Sequence, residues 1–287
     1  MANESTFQRW DLEIKPQDSV FNLHLKDVWA YRDLLWLLVR RDFVAFYKQT
    51  IFGPLWFFIQ PIFTTVIFNF IFTNLAKIPT NGTPGPLFYM AGTVAWNYFS
   101  DSLTKTSTVF KDNANIFGKV YFPRLIMPLS IIFSNLVKFG VQFVLFLILL
   151  FYYLIQGHYN IKPNLVMLLF PVTILLMAIL GLGLGLIITA LTTKYRDLAF
   201  VVTFGMQLLM YATPVIYPLS EASKRLGSNI IALNPMSGLI ETFRYGFLGA
   251  GSFYPGVFAY SVVVCVVVFL LGLVVFNKVE KNFVDTV

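Results

Sequence analysis

Residues 55–75 run without a single charge, and five further stretches of comparable apolarity follow along the chain. A helix needs roughly 20 apolar residues to cross the hydrocarbon core of a bilayer. Every backbone N–H and C=O in that core must find a partner inside the protein, which leaves helices and closed barrels as the only spanning forms. Continuous apolar runs, in place of strict alternation, select the helix. The expected fold is therefore an all-α integral membrane protein with six transmembrane helices, at about 55–75, 87–110, 125–155, 165–189, 198–217 and 257–276. The second run is the weakest, because Asp101 and Lys105 lie four residues apart in it, where they can neutralise each other on one face. Pro128 and Lys138 interrupt the third, whose start suits a surface segment. Composition agrees, with 57% hydrophobic and 12% charged residues and a mean hydropathy of +0.71, far from the balance of a soluble domain.

The chain changes character at Gly53-Pro54. Just before it, Leu35, Leu38, Val39, Phe43, Phe46 and Tyr47 recur at helical spacing, with Arg40, Arg41 and Lys48 among the polar positions. A basic amphipathic helix lying along a membrane surface has this pattern. Three regions follow: a segment at 1–33, an interface helix at 34–53 and a transmembrane domain at 54–287. In the first, the alternating runs DLEIK and FNLHL, parted by Pro16-Gln17-Asp18-Ser19, suit a small hairpin over 12–25. The first thirty residues hold no charged-then-apolar leader, so the first span is expected to direct insertion itself.

The formal charge of +7 needs no nucleic-acid partner, because a membrane chain carries its Lys and Arg in cytoplasmic loops. Of 21 Lys and Arg, only Lys77, Lys162, Lys224, Arg225 and Arg244 fall on the side opposite the N-terminus; Lys138 lies within a span and the rest share the N-terminal side. That asymmetry places both termini in the cytoplasm of a multi-pass protein of the cytoplasmic membrane, in contact with membrane lipids.

Pro214 and Pro218 end the fifth span, and the segment at 218–254 is too apolar for an ordinary loop. Residues 220–233 mix Leu226, Ile230, Ile231 and Leu233 with charges. Asn234 as N-cap and Pro235 in the first turn then open a helix. Its apolar face holds Met236, Leu239, Ile240, Phe243 and Phe247, and Gly249 and Gly251 close it. Two short amphipathic helices on the outer side result. They either dip back over a pore mouth as a gate, with Asn234, Pro235, Phe243 and Arg244 in it, or lie in the outer interface.

Chemistry is absent from the pattern. No Gly-rich phosphate loop ends in Gly-Lys-Ser or Gly-Lys-Thr, so no ATP site is expected. His24 and His158 stand alone, the single cysteine Cys265 sits in an apolar run, and no metal or cofactor set emerges. The chain is not read as an enzyme. Gly181, Gly183 and Gly185 mark places where two membrane helices approach closely.

The stretch YRDLLWLLVRRDFVAFYKQTIFGPLWFFIQP resembles the N-terminal signature of the permease subunit of ATP-binding-cassette polysaccharide exporters, the O-antigen, capsule and teichoic acid group. GKVYFPRLIMPLS, KYRDL, and TPVIYPLS followed by LNPMSGLIETFR resemble later segments of the same family in the same order, so the likeness covers nearly the whole chain. The resemblance implies a homodimer forming one channel for a lipid-linked polysaccharide, bound to two copies of an ATPase subunit that holds ATP and Mg. It implies a coupling loop at 111–124, in which Asn113, Asn115, Ile116, Phe117, Val120 and Tyr121 would seat in the ATPase. It also implies aromatic channel contacts, for which Trp56, Phe63, Trp96, Tyr98, Phe99, Tyr211 and Tyr217 are the candidates; each alone is equally an interfacial anchor or core residue. Arg40, Arg41 and Lys48 would frame the entrance for the lipid head group, the arginines meeting its pyrophosphate or anchoring to anionic lipid. An exporter of teichoic acid or of small molecules and drugs is the rival reading. A membrane-embedded lipid or glycan enzyme is a further one, against which stands the lack of paired carboxylates or of a nucleophile beside its base.

Overall fold

The computed structural model describes residues 25–48, 51–117, 122–195, 197–226 and 230–283. The hairpin expected over 12–25 lies outside them apart from Leu25, which begins a helix, and Val120 and Tyr121 also lie outside. Among the described residues all regular structure is helical. In chain order the helices are α1 (Leu25–Ala30), α2 (Arg32–Lys48), α3 (Trp56–Phe68), α4 (Gly85–Thr106), α5 (Val109–Asp112), α6 (Ala114–Phe117), α7 (Ile126–Gln156), α8 (Phe170–Thr192), α9 (Leu198–Tyr211), α10 (Leu219–Leu226), α11 (Pro235–Leu248) and α12 (Pro255–Phe283). Short 3-10 turns precede α3, α8 and α11, and α3 runs on as a π-helical segment over Asn69–Leu75.

Among the described residues, four helical stretches are long and apolar enough to cross a membrane: Trp56–Leu75, Ile126–Gln156, Leu165–Thr192 and Pro255–Lys278. The chain is thus a multi-pass helical membrane bundle. α9 differs from its expected extent, ending at Tyr211 and not at 217. Pro214 has no N–H to continue the ladder, and Thr213 turns its hydroxyl back onto the Leu209 carbonyl at 2.6 Å. The interface helix is described over Arg32–Lys48, and the end of its expected range is not helical in the same way: Ile51 and Phe52 bend and Gly53–Leu55 form a 3-10 turn.

α4 explains its own weak hydropathy. It is heavily enclosed, with residues 87–96 buried without a break and Tyr98, Phe99, Ser102, Leu103 and Thr106 buried beyond them. A helix surrounded by protein has no need of a lipid-compatible face, so polar side chains survive on it. It packs on α3, α7, α8 and α11. α7 runs unbroken through Pro128, which sits in its first turn where a missing N–H costs no hydrogen bond.

The glycines of α8 act as expected. Gly181 and Gly185 lie on one face, where an added Cβ would meet Ser102 Cβ of α4 at 3.1 Å and Thr106 Cβ at 2.5 Å. Gly183 lies on the opposite face, where a Cβ would stand 2.7 Å from Phe269 Cα of α12. Two residues on a helix turn the side chain by about 200°, so one alternating run admits a neighbour on each side. Two apolar cores result. One surrounds α4, α7, α8 and α11. The other joins Leu35, Leu38 and Val39 of α2 to Phe110, Ile126, Leu186 and Phe276 at the α2 end of the bundle.

Candidate functional site

α2 does not lie free on a surface. Its apolar stripe of Leu35, Leu38 and Val39 is buried in the protein, and Phe43 stacks on Phe57 of α3 at 6.0 Å, tying the two helices across the bend at Gly53. Gly53 takes φ +49°, a left-handed conformation open to glycine and costly for other residues. Trp36 and Leu37 remain exposed. Leu37, Arg40, Arg41, Val44 and Lys48 form one open, shallow face of α2. The face sets three cations beside Leu37 and Val44. Arg41 is anchored on it by Asp42 at 2.7 Å.

Behind α2 runs a polar seam between α4 and α7. Asp101 pairs with Lys138 of α7 at 2.6 Å and not with Lys105, which corrects the expected intrahelical pair. Lys105 Nζ donates to Asn135 Oδ1 at 3.2 Å, and Asn135 Nδ2 donates to Ser102 Oγ at 3.4 Å. Helix contact decides the partner: α4 and α7 pack side by side, so Lys138, an otherwise unsatisfied charge in a span, reaches across. Ser134 Oγ donates to Asp42 Oδ2 at 3.5 Å, which joins the seam to α2.

The aromatic candidates divide. Trp96, Tyr98 and Phe99 are buried in the core around α4; Trp96 packs on Phe99, and Tyr98 on Phe139 of α7. Within this subunit they are packing residues. Phe63 is 65%, Tyr211 56% and Trp56 42% exposed. Tyr217 is half-buried, and its hydroxyl donates to the Tyr211 carbonyl at 2.8 Å. Of the candidates, Trp56, Phe63, Tyr211 and Tyr217 keep surface outside the packing of this subunit.

In the segment 111–124, Asn115 is exposed, while Asn113 uses its amide to donate to the Val109 carbonyl at 3.0 Å. Ile116 and Phe117 are half-buried and pack against the α2-end core, Phe117 touching Phe110 and Phe122. Their apolar character serves this subunit first, and among the described candidates of this segment Asn115 is the exposed one.

α11 begins where Asn234 and Pro235 place it. Asn234 Oδ1 accepts from Met236 N at 3.0 Å, and Gly249 ends the helix at φ +67°. The helix is sunk into the bundle, with nearly every residue from Met236 to Leu248 buried. Phe243 and Phe247 join Phe143, Phe146 and Phe170 in one aromatic cluster. Arg244 is 2% exposed, pairs with Glu241 at 2.9 Å and lies 3.7 Å over the Phe88 ring. α11 is neither a floating amphipath nor a helix draped on the surface. Sequence reasoning passed over Glu241, although an acid and a base three apart inside an apolar helix carry that signal. Asp42 and Asn135 were also missed, since each gains meaning only from the helix opposite.

Comparison with known proteins gives a consistent result. Residues 33–248 match the family described as ABC-2 type transporter. The chain is 31% identical over 221 residues, 77% of its length and 82% of the relative's, to an O-antigen export system permease protein RfbA of Myxococcus xanthus. Over 257 residues, 88% of this chain and 94% of the relative, it is 29% identical to an O-antigen export system permease protein RfbA of Klebsiella pneumoniae.

Proposed function

This chain belongs to the ABC-2 type transporter family, and from that premise we propose that it is the permease subunit of an ABC exporter carrying a lipid-linked polysaccharide of the O-antigen kind across the cytoplasmic membrane. The observation that carries this reading is near full-length similarity to O-antigen export permeases. In it, α4 and α9 add two crossings to the four apolar stretches, and both termini face the cytoplasm with most of the Lys and Arg. Two copies of the chain pair, and two ATPase subunits bind beneath them, where they hold ATP and Mg and engage 111–124 through Asn115, Ile116 and Phe117. Trp56, Phe63, Tyr211 and Tyr217 supply flat faces on which sugar rings slide. Deleting the gene is expected to abolish surface polysaccharide and to accumulate lipid-linked glycan inside the cell; unchanged surface polysaccharide sinks the reading.

The entrance is the basic face of α2. Its cations suit the pyrophosphate of the lipid carrier through charge-assisted hydrogen bonds. Each such bond is worth about 1.5–3 kcal/mol, so losing two lowers affinity roughly 10²- to 10⁴-fold. Arg40→Gln with Arg41→Gln is therefore expected to block export while the complex still assembles. Initial export rates in membrane vesicles check this, and normal rates with both glutamines in place would show that the arginines hold only membrane lipid.

A further inference from the structure

Tyr211 ends α9 and Tyr217 sits in the bend that follows it. A bend of this kind has few helical hydrogen bonds of its own, and its backbone groups are buried, with Thr213, Pro214, Val215 and Ile216 all inside the protein. Side chains of α11 and its N-cap supply the missing partners. Asn234 Nδ2 donates to Thr213 Oγ1 at 2.8 Å and to the Ala212 carbonyl at 3.5 Å. Arg244 Nη2 donates to the Pro214 carbonyl at 2.9 Å and the Val215 carbonyl at 3.0 Å. Glu241 Oε1 accepts from Leu219 N at 3.0 Å and from Arg244 Nη1 at 2.9 Å. The bend is thus gripped at its start, middle and end.

α4 is cut to fit the same grip. A Cβ on Gly92 would stand 2.8 Å from both Arg244 Nη2 and the Val215 carbonyl, and Phe88 floors the guanidinium from the other side. Stability alone does not call for such a site, since a buried ion pair is often no better than apolar residues of equal volume. A planar fork that reaches two carbonyls and a carboxylate at once does give position. The Tyr217 hydroxyl, donating to the Tyr211 carbonyl, passes that position on to the ring.

We propose that Asn234, Glu241 and Arg244 are positioning residues that preset the bend carrying Tyr211 and Tyr217, and through the Tyr211 carbonyl the Tyr217 ring, for the sugar rings of the exported glycan. The proposal rests on the reading of this chain as a glycan exporter with those tyrosines on the path. It also reassigns α11 from gate to foundation. A platform held before the polymer arrives loses little side-chain entropy on each contact, and every ring of a sliding chain meets the same surface.

The test uses the permease with its ATPase in lipid nanodiscs, with 3-fluorotyrosine at position 217 and lipid-linked glycan as substrate. Three variants address the clamp: Asn234→Asp, which keeps the helix cap and loses the donor to Thr213; Arg244→Lys, which keeps the charge and loses the fork; and Glu241→Leu with Arg244→Met, which removes both charges. The fluorine signal is expected to be one narrow line in the parent and to broaden or split in all three. The apparent KM for glycan is expected to rise about tenfold in the double variant and about threefold in Arg244→Lys, with kcat changed less than twofold. An unaltered line in Asn234→Asp and Arg244→Lys overturns the clamp even where the double variant fails to fold, as does a fall in kcat at constant KM. Tyr211→Ala and Tyr217→Ala separate the two levels: unchanged KM in both removes the tyrosines from the path, while the fluorine line still reports on the clamp.

Discussion

Gly183→Leu is expected to leave the bundle unable to close, with little monodisperse protein recovered from detergent. The position faces α12 so closely that even a methyl group would sit 2.7 Å from Phe269 Cα and 2.9 Å from its nitrogen, and both obstacles are backbone. Nor can α12 retreat cheaply, because Gly272 approaches the Gly183 carbonyl from the other side of the same contact. In a membrane, apolar burial does not drive helices together, since lipid tails are as apolar as leucine; close packing of backbones does. A side chain at Gly183 therefore removes the main attraction between α8 and α12 and not a minor part of it. Overpacking by a methyl group costs about 1–3 kcal/mol, so Gly183→Ala is expected to lower the melting temperature and Gly183→Leu to abolish the folded species. Gly140→Ala in α7 is the control, because nothing lies within 4 Å of the added carbon and alanine favours a helix by up to about 1 kcal/mol. Size-exclusion profiles and thermal melts of the three proteins decide the matter; a folded Gly183→Leu bundle of parental stability would mean that α8 and α12 are held by something other than this contact.

The small residues of α8 were readable because the cue is local: three glycines two apart admit close neighbours on both sides of a helix. The start of α11 was readable for the same reason, as an N-cap and a proline act within one turn. The bend at Gly53 likewise announces itself by a change from charged to uncharged sequence. What could not be read was set by partners distant in sequence. Asp101 and Lys105 satisfy the i, i+4 rule, yet Asp101 takes a cation 37 residues away. Trp96, Tyr98 and Phe99 look like interfacial or channel aromatics in isolation, and they are core residues because α4 is enclosed on several sides. Hydropathy alone ranks α4 as a poor span for the same reason that the structure places it at the centre. Arg244 counted as an outer-side charge in the sequence; its burial depends on Glu241, on two carbonyls from 30 and 29 residues before it and on the ring of Phe88.

The seam between α4 and α7 yields the second large effect. Lys138→Met is expected to destabilise the subunit, by about 2 kcal/mol on the scale of hydrogen bonds to charged groups, because it strands the Asp101 carboxylate inside a span where water is scarce. Asp101→Asn is expected to do the same from the other side, leaving an ammonium in an apolar setting. The double variant Asp101→Asn with Lys138→Met should regain most of the loss, as an amide and a thioether carry no charge to desolvate. The pair is 32% exposed at Asp101 and 20% at Lys138, so the recovery measures a partly solvated contact; single losses of about 2 kcal/mol each and a double loss of about 1 kcal/mol put the coupling energy from the cycle at about 3 kcal/mol. Melting curves of the four proteins in one detergent supply that number, and a coupling near zero would show that the two side chains act apart. Export tests whether the seam also matters to transport. Asn135 stands between Lys105 and Ser102, and Ser134 touches Asp42 of α2, so the ion pair lies in one polar band with the helix that frames the entrance. If the band sets the position of α2, the double variant will be as stable as the parent yet slower in export, because charge-directed contacts fix a register that apolar side chains let slide. If it only neutralises two charges, stability and export will recover together.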